Sequence, residues 1–209
     1  MVVSILSGDL LTGRVWGRLP VAAGSVSWAV EHRAEGSVEA TVPLRGEVLD
    51  RFPGMVQELA PWRTFLAAVT DGGQVLQAGP IRPHKYSDTT GDLQVGASGL
   101  RAYFARRFLH RHGGGRVQDQ ELTWSGLSLG TIAKRIVQET MAHPGGDLPI
   151  DLPPDESGIH TRTYFGFELA RVSERLKQIE DVQNGPDIAF EPYLTEGGRL
   201  LRWRMRVGT

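Results

Sequence analysis

The chain has 209 residues, a formal net charge of −1 and 40% hydrophobic residues, which is the composition of an ordinary globular protein of one or two domains. It lacks the basic excess that is typical of nucleic-acid-binding proteins, and the absence of cysteine excludes disulfides, thiolate metal sites and a cysteine nucleophile. The first residues lack the basic start of a signal peptide, and no apolar run approaches the ~18 residues of a membrane span, so we expect neither feature.

The first half of the chain has the pattern of short strands separated by turns. Residues 36–44, GSVEATVPL, alternate apolar and polar side chains with the period of a half-buried strand. Asp71-Gly72-Gly73 lies between two apolar runs and predicts a β-hairpin; its second strand must bend or lie at an edge at Pro80, because proline has no N–H for the ladder. Further strands are predicted over 13–21 and 25–33, a hairpin over 85–98, and a loop with a short helical turn over 45–62.

The second half mixes helices with strands. The segment LSLGTIAKRIVQETM predicts a helix with Ser125 or Ser128 as its N-cap and Pro144-Gly145-Gly146 after its end. A second helix is predicted within FELARVSERLKQIEDV, and DQELTWSG and IHTRTYF are strand-like. The apolar stripe of the first helix comprises Leu129, Ile132, Ala133, Ile136, Val137 and Met141, and that of the second comprises Leu169, Val172, Leu176, Ile179 and Val182.

The chain ends in a predicted hairpin whose last strand alternates cleanly. Leu201, Trp203, Met205 and Val207 lie on one face, and three arginines lie on the other. The sequence therefore predicts an α+β fold in two domains. A small β-barrel or sandwich occupies residues 1–98, and an α+β domain with two amphipathic helices and a C-terminal β-hairpin occupies residues 99–209.

No set of residues predicts catalysis. His110 and His112 are spaced to share one side of a strand, yet residues 101–116 contain no acidic residue that would complete a metal site. The three glycines at 113–115 lack the Lys-Ser/Thr of a phosphate-binding loop. Neither a nucleophile elbow nor an HExxH motif occurs. We therefore expect no enzyme, no metal and no cofactor.

Two groups of arginines and several tryptophans are the candidate contact residues. The arginines fit contact with a polyanion or with acidic residues of a partner, but the solvated face of an amphipathic strand is the favoured interpretation, because half-exposed strands need polar residues anyway. Tryptophans beside strands favour packing or an interface over ligand stacking. The candidates are Arg101, Arg106, Arg107, Arg111 and Arg116, the strand stripe Arg202, Arg204 and Arg206, and the aromatic residues Trp16, Trp28 and Trp62.

Several segments in this order resemble a known family. They are TGRVWGRLP, SVSWAVEHRAEGSVEATVPL, RTFLAAVTDGGQVLQAGPI, LQVGASGLRAYFARRFL and TRTYFGFELARVSERLKQIEDVQNGPDIAFEP. Together they are similar to the minor tail proteins of long-tailed bacteriophages, especially of actinobacterial hosts, that form the baseplate or tail-tip hub. The similarity covers most of the chain and contains no active-site signature.

The resemblance implies a structural virion component at the tail tip, made in the host cytoplasm. It implies a homotrimer that closes the tail and contacts the distal tail protein ring and other minor tail or tape-measure proteins, with transient contact with DNA leaving the tail. Family members often carry two barrel-like domains per subunit, whereas one candidate is evident here. The alternative function is a receptor- or carbohydrate-binding tail module.

Overall fold

The computed structural model describes residues 2–31, 33–45, 48 and 58–208. The chain divides into two compact units, Met1–Leu100 with Pro192–Arg202 and Arg101–Glu191 with Trp203–Thr209. The described residues contain mostly antiparallel sheets and three α-helices, which confirms the predicted α+β class.

Among the described residues of Met1–Leu100 there are eight short strands in two sheets. The strands are β1 Val3–Asp9, β2 Val15–Arg18, β3 Ser27–Ala29, β4 Ser37–Pro43, β5 Thr64–Thr70, β6 Val75–Pro80, β7 Lys85–Ser87 and β8 Asp92–Ser98. One antiparallel sheet has the order β2-β1-β5-β6 and the other has the order β3-β4-β8-β7. Within the described residues neither sheet closes into a barrel.

An apolar core lies between these two sheets. Successive side chains of a strand point to opposite faces, so every second residue of β4 and β8 faces the core. The core residues include Ile5, Val38, Ala40, Val42, Leu66, Ala68, Leu93, Val95 and Ala97. The sequence predicted a β-barrel or a sandwich, and two open sheets that share one core form a sandwich.

The hairpin at Asp71-Gly72-Gly73 forms as predicted and joins β5 to β6. Gly73 adopts a φ of 81°, which favours glycine, and its N–H donates to the Thr70 carbonyl at 3.0 Å. Pro80 is the last residue of β6, an edge strand of its sheet. The chain packs closely just before it, because a Cβ on Gly79 would lie 1.9 Å from the Ser98 carbonyl oxygen.

The sequence pattern did not predict β1, and most of the loop predicted over 45–62 lies outside the described residues. β1 lies between β2 and β5, and its middle residues are buried without alternation, so it lacks the period that marks a half-exposed strand. Of the loop predicted over 45–62, residues 46, 47 and 49–57 lie outside the described part of the chain.

The second unit contains the helices and a strand ribbon. Its elements in chain order are α1 Arg101–Phe104, β9 Glu121–Leu127, α2 Leu129–Met141, β10 Ile150–Asp151, β11 Ser157–Phe165, α3 Val172–Glu180, β12 Asp187–Thr195 and β13 Leu200–Gly208. β9 and β11 pair as an antiparallel ribbon, and β10-β13-β12 form a sheet in which β10 is parallel to β13. The hairpin β12–β13 contributes residues to both units.

Helix α2 follows the predicted stripe and cap. Ser128, rather than Ser125, is the N-cap, and its Oγ accepts the N–H of Thr131 at 3.1 Å. Ile132, Ile136 and their apolar neighbours are buried. The helix thus begins where a side chain satisfies a free backbone donor.

Helix α3 begins later than the sequence predicts. Leu169 has a φ of 44° and is 54% exposed, so its inclusion in the buried stripe was wrong. Gly166–Glu168 form a 3-10 turn, and a Cβ on Gly166 would lie 1.9 Å from the Val117 carbonyl oxygen. The left-handed conformation of Leu169 separates this turn from the helix. Val182 also lies beyond the helix end, whereas Val172, Leu176 and Ile179 are buried as predicted.

The C-terminal hairpin forms as predicted, and the alternation of its last strand is confirmed. Leu201, Trp203 and Met205 are buried, and Trp203 is fully enclosed. The N–H of Trp203 donates to the Pro149 carbonyl at 3.0 Å, beside the parallel pairing of β10.

We predict that Gly79→Ala lowers the free energy of unfolding by about 1–3 kcal/mol, because the new methyl group meets rigid backbone at Ser98 and Gly99. Gly17→Ala in β2 is the matched control: its Cβ would meet nothing within 4 Å, and we expect a change within about 0.5 kcal/mol. Urea unfolding measures the two free-energy changes, provided that the slope of the free energy against urea concentration is the same in both variants. Equal changes in the two variants would contradict the close approach of the Gly79 and Ser98 backbones.

Candidate functional site

The first predicted basic residue, Arg101, faces the interior. Its Nη1 donates to Glu180 Oε1 at 3.0 Å and to the Ile188 carbonyl at 3.3 Å, and its Nη2 donates to Glu180 Oε2. The two side chains are only 10% and 1% exposed. Arg101 therefore joins α1 to the end of α3, and because it is buried it does not belong to the candidate polyanion surface.

The other basic residues of this segment lie nearer the surface. Arg107 Nη2 donates to the Gly145 carbonyl at 2.9 Å and to the hydroxyl of Tyr103. Arg111 bonds Glu139 of α2, with 3.0 Å between Nη2 and Oε1. Arg106 and Arg116 are exposed. Arg107 and Arg111 thus use part of the segment's positive charge within the chain, Arg107 on the loop after α2 and Arg111 on the carboxylate of Glu139.

The arginine stripe of β13 lies on the polar face of that strand. Arg206 Nε donates to Glu191 Oε2 of β12 at 2.9 Å, and both side chains are more than half exposed. Arg204 is exposed and Arg202 is half-buried, and both have interactions of their own. This cross-strand ion pair fits the solvated-face interpretation for Arg206.

Three histidines come together in the second unit. The ring centroids of His110 and His143 are 4.1 Å apart, and those of His112 and His143 are 6.2 Å apart. Nε2 of His143 donates to the His110 carbonyl at 2.7 Å, since a carbonyl oxygen only accepts. Burial lowers the pKa of His143, the hydrogen bond to His110 opposes this, and the positive charges of His110, Arg107 and His112 lower it further.

Sequence reasoning singled out His110 and His112 but missed His143. The only local signal is a histidine directly after a predicted helix and before Pro144-Gly145. In the described residues, no three His, Cys, Asp or Glu side chains form a group that could hold a metal ion.

Exposed aromatic side chains mark both units. Trp16 on β2 and Trp28 on β3 are 44% and 38% exposed, and both strands are edges of their sheets. Trp62 is half-buried. In the second unit Phe165 and Phe167 stack with 5.4 Å between ring centroids, and Phe167 is 62% exposed. Apolar surface of this kind is typical of interfaces.

An open, polar groove of about 590 Å³ lies between β9 and α2. The charged side chains in its wall are engaged within the chain: Arg135 donates to Gln138 at 2.9 Å and also bonds Asp155, and Glu139 accepts from Arg111. Its lining residues are Thr123, Trp124, Ser125, Leu127, Arg135, Gln138, Glu139 and Ala142. The Thr123 hydroxyl donates to Glu121 Oε1 at 2.9 Å and lies 2.9 Å from the Thr163 hydroxyl, and these lining residues include no histidine, lysine or cysteine.

No helix in the described ranges combines the length and apolar character that crossing a membrane requires.

We predict that Arg101→Met lowers the free energy of unfolding by about 3–5 kcal/mol, because it leaves the carboxylate of Glu180 buried without its partner. Adding Glu180→Leu to this variant restores most of the loss. Arg206→Met is the control, with at most about 1 kcal/mol expected for its exposed pair. Denaturant unfolding of the four proteins measures the difference, and equal losses in the two single variants would contradict the structural role.

We predict that His143 makes the fold less stable in mild acid. The folded-state pKa is lowered, so the unfolded chain binds a proton more readily, and stability is lost as the pH falls below about 6.5. His143→Gln reduces the fall in stability between pH 7.5 and pH 5 in urea unfolding. His160→Gln is the control for the loss of a histidine on β11; an unchanged slope in His143→Gln, or an equal change in the control, contradicts the prediction.

Crystal structures of three tail proteins are similar to this chain in fold. Prophage tail protein gp18 from Listeria monocytogenes EGD-e has a TM-score of 0.51 at 10% identity, over 96% of this chain and 50% of that protein. The 43 kDa tail protein of prophage MuSo2 from Shewanella oneidensis has a TM-score of 0.48 at 10% identity, over 98% of this chain and 54% of that one. The tail protein from Neisseria meningitidis MC58 has a TM-score of 0.35 at 12% identity, over 96% and 46%.

The chain thus spans about half the length of these proteins. No protein-family model and no curated protein matches its sequence. At such low identity the similarity describes the fold alone.

Proposed function

We propose that this chain is a structural subunit of a bacteriophage tail and that it works in the tail-tip or baseplate hub. The observation that carries the proposal is the fold similarity to prophage tail protein gp18, which extends over 96% of the chain. The order of sequence segments that resembles minor tail proteins supports the same assignment. In this proposal the predicted domains 1–98 and 99–209 are both parts of the hub.

The surface of the first unit supports a role in assembly. β2 and β3 stand at the ends of their sheets' strand orders in the described residues, and each carries an exposed tryptophan. At the start of β2 the Val15 N–H donates to the Arg199 carbonyl and the Leu201 N–H donates to the Gly13 carbonyl, so the edge argument applies chiefly to β3. Unpaired strand edges attract further strands, and proteins usually cover or charge them. Tryptophan is enriched in the buried centres of interfaces. We therefore propose that Trp16 and Trp28 are covered by neighbouring subunits.

The proposed partners are two further copies of the chain in a homotrimer, the distal tail protein ring, and other minor tail or tape-measure proteins. The stacked Phe165 and Phe167 offer a second apolar contact surface. A role without catalysis agrees with the polar groove, whose charged side chains are engaged within the chain, Arg135 with Gln138 and Asp155 and Glu139 with Arg111.

The first test is the position of the chain in the particle. Gold-labelled antibody against this chain, viewed by negative-stain electron microscopy of phage particles, should mark the tail tip. Label along the whole tube would support a tail role and contradict the hub, and absence from the particle would contradict both.

The second test is the oligomeric state, measured by native mass spectrometry and light scattering at micromolar concentration. We expect a trimer for the wild type and at least tenfold weaker association for Trp16→Ser/Trp28→Ser. Tyr86→Ser is the control, because Tyr86 is an exposed aromatic residue on the edge strand β7. A monomeric wild type contradicts self-assembly, and glycan binding lost only in the tryptophan variant would favour the receptor-binding alternative.

A further inference from the structure

The groove between β9 and α2 borders one edge of β9. Three consecutive residues of this strand, Thr123, Trp124 and Ser125, line it, and among the described residues β11 contributes none. Successive side chains of a strand point to opposite faces, so a groove over one face would be lined by every second residue. Consecutive lining residues therefore indicate that the groove follows the edge of β9, where backbone groups face outward.

That edge of β9 has no strand partner within the described residues. β9 pairs with β11 alone, in a two-stranded antiparallel sheet. In such a pair alternate residues bond the partner strand, and the residues between them direct their N–H and C=O groups away from it. Over the ranges that the structure describes, no hydrogen bond joins the β9 backbone to any element other than β11. The edge thus presents a row of donors and acceptors that matches a further strand.

The same edge lacks the features that usually protect an exposed strand. Lysine, proline and bulges are common at such edges and hinder the addition of another chain. The segment Leu122–Ser125 contains no charged residue and no proline. Its register with β11 is regular as far as Ser125 and shifts only at Gly126, which has a φ of 70°. β9 therefore offers a straight, uncharged stretch for pairing.

Helix α2 supplies the opposite wall of the groove. Arg135, Gln138, Glu139 and Ala142 lie on one side of the helix, because residues three, four and seven apart share a face. The volume of about 590 Å³ is within the range of ligand-binding clefts. At about 3.3 Å per residue, the lining from Thr123 to Leu127 extends for about 13 Å, which is the length of four or five extended residues.

The charges in this wall are balanced within the chain. Arg135 bonds Asp155, and Glu139 accepts from Arg111 at 3.0 Å. A charged occupant would therefore lose its hydration without gaining a free partner. Gln138 accepts from Arg135 through Oε1, so its amide N–H groups remain to donate to a carbonyl of an occupant.

We propose that this groove binds an uncharged, extended peptide segment of a partner protein, which pairs with β9 as a third strand. Strand addition takes its affinity from main-chain hydrogen bonds and its specificity from contacts of alternate side chains. Trp124 and Leu127 are half-buried and offer the apolar contacts. The site uses none of the residues assigned to subunit contacts above, and the inference does not rest on the proposed tail role.

The test is an NMR titration of the full chain, labelled with nitrogen-15, with acetylated and amidated seven-residue peptides. The peptides alternate threonine with valine and carry valine, leucine or phenylalanine at the central position. We expect saturable shifts of the β9 amides and of the α2 amides that line the groove, and slower hydrogen exchange of the outward N–H groups of β9. If none of the three peptides causes saturable shifts, the proposal is overturned.

Methylated peptides separate main-chain pairing from side-chain contact. The peptide that binds best is methylated at the backbone nitrogen of alternate residues, in each of the two phases, so that its side chains are unchanged. At least one phase should bind at least tenfold more weakly, because it removes the N–H groups that face β9. Unchanged affinity in both phases overturns strand pairing.

Variants locate the site on β9 and α2. Ser125→Lys places a charge on the strand edge, and Ala142→Phe fills the groove from an exposed position; each should weaken peptide binding at least tenfold. Thr161→Lys is the matched control, because Thr161 is exposed on β11 directly opposite Ser125, and it should bind as the wild type does. Unchanged binding by both groove variants, or an equal loss in the control, overturns the proposal.

Maltose serves as a competing probe, because a tryptophan beside polar side chains also suits a sugar. We expect no shift of the groove amides with maltose. Shifts of these amides by maltose and not by the peptides would overturn the peptide proposal and favour a carbohydrate ligand.

Discussion

The buried ion pair between Arg101 and Glu180 is the interaction on which the second unit depends. Arg101 also donates to the Ile188 carbonyl at 3.3 Å, and the N–H of Ile188 donates to Glu180 Oε1 at 3.2 Å. One charge pair thus joins α1, the end of α3 and the start of β12. Removing charges from water is costly unless they are fully paired, so these three elements have little freedom to shift.

This anchor explains why neighbouring basic residues serve different purposes. Arg101 stabilises the interior, Arg111 neutralises the α2 carboxylate of Glu139, and Arg107 holds the loop at Gly145. A count of arginines along the segment therefore describes its chemistry poorly, because burial decides which charges an outside ligand can reach.

The first unit is organised by a different constraint, the apolar core shared by two open sheets. Open sheets have edges, and β2 and β3 carry exposed tryptophans at those edges.

The sequence by itself determined the α+β class, the Asp71-Gly72-Gly73 hairpin, helix α2 and the alternation of β13. Each depends on periodicity or turn chemistry within a few neighbouring residues. Tertiary structure alone decided the place of β1, the late start of α3 at Val172, the burial of Arg101 and the meeting of His110 with His143 across 33 positions. These outcomes depend on contacts between distant segments, whose energies no local pattern contains, because burial and pairing arise only when the elements pack.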